Sequence, residues 1–357
     1  KDCVILHRKK RVNEMTSNQL VLEIKEAATK LGYDKCGIIN ISTMKGYREK
    51  LAQRIERFPD IQPHSEEFFS FAELEKDYPW AKSVIICVRH YGKYHIPEHL
   101  QGIIAKYYLV DSRKDENSKD YQASIAFEDF LTAKNIRNET RRDFGITSLR
   151  WAAQAAGLGI ILKNNFFYTE KGSWVYLEAW IIDQELEWIG QHSIPACSPS
   201  CTQCLDSCPT HSLAEPYLMN RNTCVSCLTT WEGFDLPNEP YRQEIGDWVF
   251  GCDACQDSCP HNFQKWESNL DFPLLDEISS AISLEKIIEM DYEYLRTVMA
   301  PKFWYIPEDK VWRWKTNTLN AMLNRYRDKY SLSIELALQD EHPEVRRMAQ
   351  FVKEQLS

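Results

Sequence analysis

The sequence is 357 residues long and has a formal net charge of -9, with 43% hydrophobic and 27% charged residues. A chain of this length can bury a large core and predicts two or three domains, which excludes a single small domain. The acidic balance argues against a broad phosphate-binding surface, and no apolar run reaches the ~18 residues of a membrane span. We therefore expect a soluble cytoplasmic protein with no membrane partner.

The chain opens with a short apolar run followed by a basic cluster, "KDCVILHRKKRV" (1–12). In a signal peptide the basic residues precede the apolar stretch, and a small-residue cleavage site follows it. Neither feature is present, so this segment is not expected to be a signal peptide.

The first half of the chain alternates two kinds of pattern. Apolar residues at helical spacing predict helices, and runs of β-branched and aromatic residues predict strands. The predicted elements are helix 18–32, strand 35–42, strand 83–91, helix 119–136, helix 148–157 and strand 172–183. This alternation predicts a domain of mixed α/β or α+β class over residues 1–190.

The second half has two regions of different character. Residues 191–265 are rich in turns and cysteine and predict a ferredoxin-like domain, while 266–357 are helical. The clearest helical stretches of the last region are 311–328, 331–339 and 342–356. Short helices of this kind resemble a HEAT-type repeat, although a plain helical cap on the cysteine region fits the spacing equally well.

Nine of the twelve cysteines fall between residues 197 and 259. Small secreted domains spread cysteines through a chain too short to form a core, so this clustering favours a metal or cluster site in a reducing compartment. Bacterial ferredoxins bind two [4Fe-4S] clusters with C-x2-C-x2-C-x3-C-P runs. The C-x2-C-x3-C-P part occurs twice, in "CTQCLDSCP" (201–209) and "CDACQDSCP" (252–260). Zinc sites use C-x2-C pairs as well, but zinc does not explain the repeated C-x3-C-P.

In the ferredoxin pattern, the last cysteine of each run ligates the other cluster. The set predicted for one [4Fe-4S] cluster is Cys197, Cys201, Cys204 and Cys259. The set predicted for the other is Cys208, Cys224, Cys252 and Cys255. Cys197 is one residue further from Cys201 than the pattern requires, and Cys227 is left over, so either could be a substitute ligand.

Several segments together resemble the epoxyqueuosine reductase family, which is related in its catalytic core to corrinoid reductive dehalogenases. They are "IAKYY" (104–108), "KDY" (119–121), "AGLGIILKNN" (156–165), "GSWVYLEAWIID" (172–183), "CTQCLDSCPTHSL" (201–213), "NRNTC" (220–224) and "FGCDACQDSCPHN" (250–262). The helical tail fits the C-terminal HEAT-like module of that family. The resemblance therefore covers most of the chain.

The resemblance implies an oxidoreductase that reduces the epoxide of epoxyqueuosine in tRNA to the alkene of queuosine. It implies two [4Fe-4S] clusters that pass electrons to cobalamin, with a flavodoxin or ferredoxin as electron donor. Because the sequence has no D-x-H-x-x-G motif for a lower histidine ligand, the cobalamin is expected to be base-off. We expect the protein to act as a monomer and to contact tRNA through its C-terminal module.

The resemblance also implies roles for individual residues. Asp143 matches the family's proton donor, for which a buried carboxylic acid is expected; a surface salt bridge with Arg141 or Arg142 is the alternative. Asp120 and Tyr121 match corrinoid-pocket residues, and the alternative for Asp120 is an acid at a helix start. Finally, Lys163 and Asn164 are expected to bind cofactor through backbone or phosphate contacts, or simply to form a turn.

Two other functions remain open from the sequence. Gln122 stands where the family usually has His, and the acidic stretch 50–80 lacks a recognisable substrate loop. These departures favour a corrinoid reductase that acts on a small molecule, such as an organohalide, or on another corrinoid protein. An electron carrier of the ferredoxin type, without corrinoid, is the remaining alternative.

Overall fold

The computed structural model describes residues 17–357. The N-terminal segment that we do not expect to be a signal peptide lies outside these residues. The strands are β1 (Lys35–Asn40), β2 (Ser83–His90), β3 (Asn138–Thr140), β4 (Ile160–Ile161), β5 (Phe167–Tyr168) and β6 (Val175–Ile182). No helix in the described part of the chain is long and apolar enough to cross a membrane.

The α-helices vary in length from one turn to four. In chain order they are α1 (17–30), α2 (Lys45–Arg57), α3 (Leu74–Asp77), α4 (Lys106–Leu109), α5 (Lys119–Ala133), α6 (Leu149–Ala155), α7 (Gln203–Asp206), α8 (Val225–Thr230), α9 (Arg242–Ile245), α10 (Ala254–Asp257), α11 (Pro273–Ser279), α12 (Leu284–Glu289), α13 (Tyr292–Tyr294), α14 (Ala300–Lys302), α15 (Arg313–Asn324), α16 (Ser331–Ala337) and α17 (Pro343–Leu356). A π-helical turn, Leu295–Met299, connects α13 to α14.

The chain forms two compact units. The first consists of the described residues up to His90 together with Glu116–Leu162 and Phe166–Cys197. The second consists of Tyr91–Asp115, Lys163–Asn165 and Ser198–Ser357. The second unit therefore contains both cysteine motifs and a three-residue piece, 163–165, from the middle of the first unit's sequence.

The first unit is built on a four-stranded sheet in the order β1-β2-β6-β3, and every pair in it is antiparallel. All eight residues of β2 are buried, as expected for a central strand covered on both faces. On one face Ile86 and Val88 pack with side chains of α6; on the other Ile85 packs with Phe127 of α5 and with residues of α1. The predicted mixture of helices and sheet is confirmed, and it takes the antiparallel α+β form.

The strands and helices predicted in this unit are present, with ends that differ by a few residues. Gly32 follows α1 with a φ of +85°, a left-handed conformation that glycine adopts without steric cost. The helix predicted over 148–157 ends at Ala155, and Gly157 has a φ of +68°. Both helices therefore end where glycine reverses the backbone.

In the second unit α15 supports the segments around the cysteine motifs. The indole of Trp314 stacks on the ring of Phe250, with 4.9 Å between centroids. The fully buried Arg313 donates hydrogen bonds to the backbone carbonyls of Leu228, Thr230 and Glu232. Because these segments have little regular secondary structure, the α15 side chains satisfy carbonyls that no ladder or helix would reach.

The C-terminal helices complete this unit. Helix α15 packs against α12 and α17, and α16 packs against α12 and α17. The helices predicted over 311–328, 331–339 and 342–356 correspond to α15, α16 and α17. Leu332 and Leu336 of α16 remain exposed, at 80% and 50%.

Replacing Trp180 with alanine should lower the free energy of unfolding by about 3–5 kcal/mol, because its fully buried indole would leave a cavity between Tyr33 and Phe127. Leu22→Ala, at a side chain that is 48% exposed, should cost less than about 1 kcal/mol. Urea unfolding of both variants measures the difference. Equal losses would contradict the position of Trp180 in the core.

Candidate functional site

The two cysteine motifs fold alike and face each other. Each contains a one-turn helix, α7 in the first motif and α10 in the second, and the two helices are in contact. Ser207 and Ser258 occupy the same position in the two repeats, and their hydroxyl oxygens lie 2.7 Å apart. The sequence repeat therefore corresponds to two similar local structures that meet at equivalent residues.

Cysteines of both motifs gather in the second unit. Cys204 and Cys208 are buried in a small apolar cluster with Leu213, against which Cys255 packs. Burial raises the pKa of the Cys255 thiol well above its ordinary value. The pKa of Cys255 is raised further by four nearby thiols, those of Cys252, Cys224, Cys208 and Cys204. The thiolate is the form of cysteine that binds metal, so several thiols buried together suit a metal-containing ligand that takes the place of their protons.

Cys224 differs from its neighbours. The side chain of Cys227 hydrogen bonds to it, and this contact is the largest of those that lower the pKa of the Cys224 thiol to about 6. Backbone N–H groups of Ser226 and Cys227 and the side chain of Ser212 act in the same direction. Cys227, left over in the sequence pattern, is thus a neighbour of a predicted ligand.

Among residues 17–357, no group of three or more His, Cys, Asp or Glu side chains forms a site for a single metal ion. Cys197 is the last residue of the first compact unit, whereas Cys201, Cys204 and Cys259 belong to the second. The predicted role of Cys197 therefore rests on the sequence.

A buried acid lies next to the second motif. Burial raises the pKa of Asp253 to about 6, against the opposing effect of Lys106. The ammonium of Lys106 is 3.6 Å from the Asp253 carboxylate, and the Lys106 backbone N–H donates to the same oxygen at 2.9 Å. This contact joins α4, which begins within the segment "IAKYY" (104–108), to the loop that carries Cys252.

Lys163 and Asn164 also contact the cysteine motifs. Lys163 donates to the carbonyls of Ser198, Pro199 and Cys201 at 2.8, 3.0 and 2.8 Å. The Asn164 amide donates to the carbonyl of Cys255 at 2.9 Å. Two adjacent side chains thus contact the backbones of both motifs.

The glycines of "AGLGIILKNN" serve a steric purpose. A Cβ on Gly157 would lie 2.3 Å from the carbonyl oxygen of Gly190, and one on Gly159 would lie 2.0 Å from that of Tyr168. Both distances are shorter than any tolerated contact. Glycine therefore lets the chain pack closely before the turn that presents Lys163.

Asp143, the predicted proton donor, lies in the first unit in an irregular segment between β3 and α6. Its carboxylate accepts a hydrogen bond from the Phe144 backbone N–H at 2.7 Å and lies 3.7 Å from the Arg141 guanidinium. The side chain is 34% exposed, so the expectation of a buried acid is wrong for this conformation. An exposed arginine and a local backbone donor hold the carboxylate near solvent.

Asp120 and Tyr121 lie in the first turn of α5, which Ser118 caps by accepting the Tyr121 N–H. Asp120 forms an ion pair of 3.2 Å with Arg89, which projects from β2 and is only 8% exposed. The guanidinium of Arg142 lies over the Tyr121 ring, 5.0 Å from its centroid. Both predicted corrinoid residues are thus paired with arginines.

Sequence reasoning missed the polar group around Arg89. Its guanidinium lies 4.2 Å from the centroid of the Tyr33 ring, and the Tyr33 hydroxyl donates to Glu178. Burial alone would lower the pKa of Arg89, but Asp120, Tyr33 and Glu178 together raise it. The available signal was an arginine inside the otherwise apolar strand "SVIICVRHY".

Replacing Asp120 with asparagine should lower the free energy of unfolding by roughly 1–3 kcal/mol, because it removes the carboxylate that forms the ion pair with the buried Arg89 guanidinium. Asp129→Asn, at an exposed position on the same helix, is the matched control and should have little effect. Urea unfolding measures both. Unchanged stability in Asp120→Asn would contradict a structural role for the ion pair.

Comparisons with known proteins agree with this geometry. A family model described as a 4Fe-4S double cluster binding domain matches residues 197–262. The epoxyqueuosine reductase of Bacillus subtilis (strain 168) is 32% identical over 263 residues, which are 70% of this chain and 65% of that protein. The epoxyqueuosine reductase of Leadbetterella byssophila is 31% identical over 255 residues, which are 67% of this chain and 79% of that protein.

A solved structure has the same fold. It is an epoxyqueuosine reductase with an epoxyqueuosine-modified tRNA-Tyr stem loop, 25% identical to this chain, with a TM-score of 0.74. The match covers 95% of this chain and 91% of that one. With the cysteine repeat and the relatives, it shows that this chain belongs to the epoxyqueuosine reductase family, a family of oxidoreductases.

Proposed function

We propose that this protein reduces epoxyqueuosine to queuosine in tRNA, with cobalamin and two [4Fe-4S] clusters as cofactors. The observation that carries the proposal is the paired cysteine motif of a family member, in which the two repeats meet at Ser207 and Ser258. Overall, the epoxide takes up two electrons and two protons, and it yields the alkene and water. The clusters suit the delivery of electrons one at a time.

The cysteines form two proposed ligand sets. One contains Cys197, Cys201, Cys204 and Cys259, and the other contains Cys208, Cys224, Cys252 and Cys255. Cys208 and Cys224 raise the pKa of both the Cys252 and the Cys255 thiols, which requires these four groups to be close together and supports the second set. Cys204, proposed for the first set, also raises the pKa of Cys255, so the two sets adjoin. Cys227 would then hydrogen bond to a ligand without being one.

For cobalamin, Asp120 and Tyr121 are the proposed contacts in the first unit. Arg89, paired with Asp120, has one buried nitrogen, Nη2, with no hydrogen-bond partner among the described residues. A group rich in amide carbonyls, such as the periphery of a corrin ring, could satisfy this donor. When bound and reduced, cobalamin would supply a strong nucleophile or reductant for the C–O bond.

Asp143 is the proposed proton donor to the departing oxygen. A carboxylic acid can perform this step if it reaches the oxygen in the substrate complex. The irregular segment that carries Asp143 and its partly exposed side chain leave the carboxylate accessible to a bound substrate. The Phe144 N–H and Arg141 would orient it before the substrate arrives.

The tRNA substrate is proposed from the tRNA stem loop bound by the structural relative. Residues 301–357 carry ten Lys and Arg against eight Asp and Glu, while the chain as a whole has a net charge of -9. Because lysine and arginine contacts supply most non-specific affinity for nucleic acid, the HEAT-like C-terminal module is the proposed contact. We further propose a cytoplasmic monomer that receives electrons from a flavodoxin or ferredoxin.

The function is tested with the anaerobically reconstituted full chain, cobalamin, a chemical reductant and tRNA that contains epoxyqueuosine. Mass spectrometry of the nucleosides should show queuosine, and omission of cobalamin should abolish it. Turnover of an organohalide without turnover of tRNA would instead favour the small-molecule reductase. Intact clusters without corrinoid binding would favour an electron carrier.

Replacing Cys252 with alanine should reduce bound iron and acid-labile sulfide to about half of the wild-type content, because one of two cubes loses a ligand. Cys227→Ala is the matched control and should keep both clusters, since its sulfur is assigned a hydrogen bond to Cys224 instead of iron. Iron and sulfide analysis with EPR spectroscopy measures the content. Loss of a cluster in Cys227→Ala would reverse the assignment.

Replacing Asp143 with asparagine should lower the rate of queuosine formation by about 100-fold or more, because the amide cannot donate the proton. Glu139→Gln, at an exposed position on β3, is the control and should retain activity. Iron content and corrinoid absorbance should be unchanged in both variants. Full activity in Asp143→Asn would remove this residue from the mechanism.

A further inference from the structure

Lys163 occupies an unusual environment for a lysine. Its side chain is 7% exposed, and the ammonium donates to three backbone carbonyls, those of Ser198, Pro199 and Cys201, at 2.8–3.0 Å. These three bonds use every donor that an ammonium has. The group is therefore fixed in position beside the loop that begins the first cysteine motif.

The charge of Lys163 is not matched by these partners. All three acceptors are neutral carbonyl oxygens, whereas buried charges in proteins are normally paired with opposite charge. Lys315 provides a comparison in the same unit: it is 5% exposed and forms an ion pair of 2.8 Å with Asp340. Neutral carbonyls also surround the buried guanidinium of Arg313 in this unit, so such an environment does not by itself require a counter-charge. A negative group close to the 198–201 loop would nevertheless be stabilised by the fixed Lys163 ammonium.

A thiolate-ligated cluster at Cys201 would supply this negative charge. We propose that Lys163 is a positioning residue that holds the 198–201 loop and raises the reduction potential of the cluster assigned to Cys201, Cys204 and Cys259. The inference rests on the proposed function, because it requires that cluster to be present. Charge and hydrogen bonding around a cluster are among the factors that set its potential.

The direction of the effect follows from the electron count. On reduction the cluster accepts one electron from an external reductant and gains one unit of negative charge, while no bond to the protein forms or breaks. A fixed ammonium stabilises the more negative, reduced form. Asn164, the neighbour that contacts the Cys255 carbonyl, is neutral, so the cluster assigned to the second set should depend much less on this segment.

The experiment is a dithionite titration of the anaerobically reconstituted full chain, followed by EPR spectroscopy at controlled potential. Lys163→Gln keeps a hydrogen-bond donor and removes the charge, whereas Lys163→Arg keeps the charge. In Lys163→Gln, the ratio of reduced to oxidised cluster at a fixed potential should fall about tenfold for one cluster, or about 59 mV for a one-electron couple. Lys163→Arg should stay close to wild type.

Lys315→Gln is the matched control, since it removes a lysine that is equally buried but paired with Asp340. It should leave both potentials unchanged. Unchanged potentials in Lys163→Gln, or an equal shift in Lys163→Gln and Lys163→Arg, would overturn the proposal. If Lys163→Gln loses one cluster and Lys163→Arg retains both, the result supports a need for the positive charge at residue 163. If both variants lose that cluster, Lys163 acts through packing and the proposal fails.

The result also separates this inference from the proposed function. Wild-type protein that assembles no [4Fe-4S] cluster would contradict the cluster assignment itself. Wild-type protein with two clusters, together with a Lys163→Gln variant of unaltered potentials, would contradict only the role of Lys163.

Discussion

The cysteine-bearing segments depend on side-chain donors that satisfy their backbone carbonyls. These segments contain only short helices and irregular turns, so part of their backbone carbonyls must find partners outside helices and sheets. Arg313 and Asn317 of α15 donate to carbonyls of residues 228–232 and 249, and Lys163 and Asn164 donate to those of the two motifs. Without these donors, the loops that position the thiols would be left with unsatisfied polar groups.

This constraint explains why so many polar residues are buried in the second unit. Arg313, Asn317 and Asn320 lie on one helix and are at most 1% exposed, a position normally given to apolar residues. Hydrogen bonds to the backbone offset part of the cost of burying each side chain, while Arg313 Nε and Asn317 Oδ1 have no partner among the described residues. The helical C-terminal region is thus part of the support for the cysteine motifs.

The first unit uses a different arrangement for its polar residues. An antiparallel sheet covered on both faces supplies a rigid frame, and Arg89 on β2 introduces a buried positive charge into it. Asp120 balances that charge, and Tyr33 covers the guanidinium with its ring. The segment carrying Asp143 lies outside regular structure, and the Asp143 carboxylate is held near solvent by local partners.

The sequence by itself determined β1, β2 and β6, most of the longer helices, the cysteine repeat and the family resemblance, because each depends on residues close together in the chain. The strands β3, β4 and β5 have only two or three residues each and no such pattern, so they were not predicted. Apolar runs such as 83–91 and the C-x2-C-x3-C-P spacing are local patterns with few structural alternatives. Only the tertiary structure decided that Lys163 reaches the 198–201 loop, that Arg313 reaches residues 228–232, and that Asp120 pairs with Arg89. These contacts join residues 31 to 85 positions apart, and no local pattern indicates which donor meets which acceptor. The same reason applies to Asp143, whose exposure depends on how its segment is held after folding.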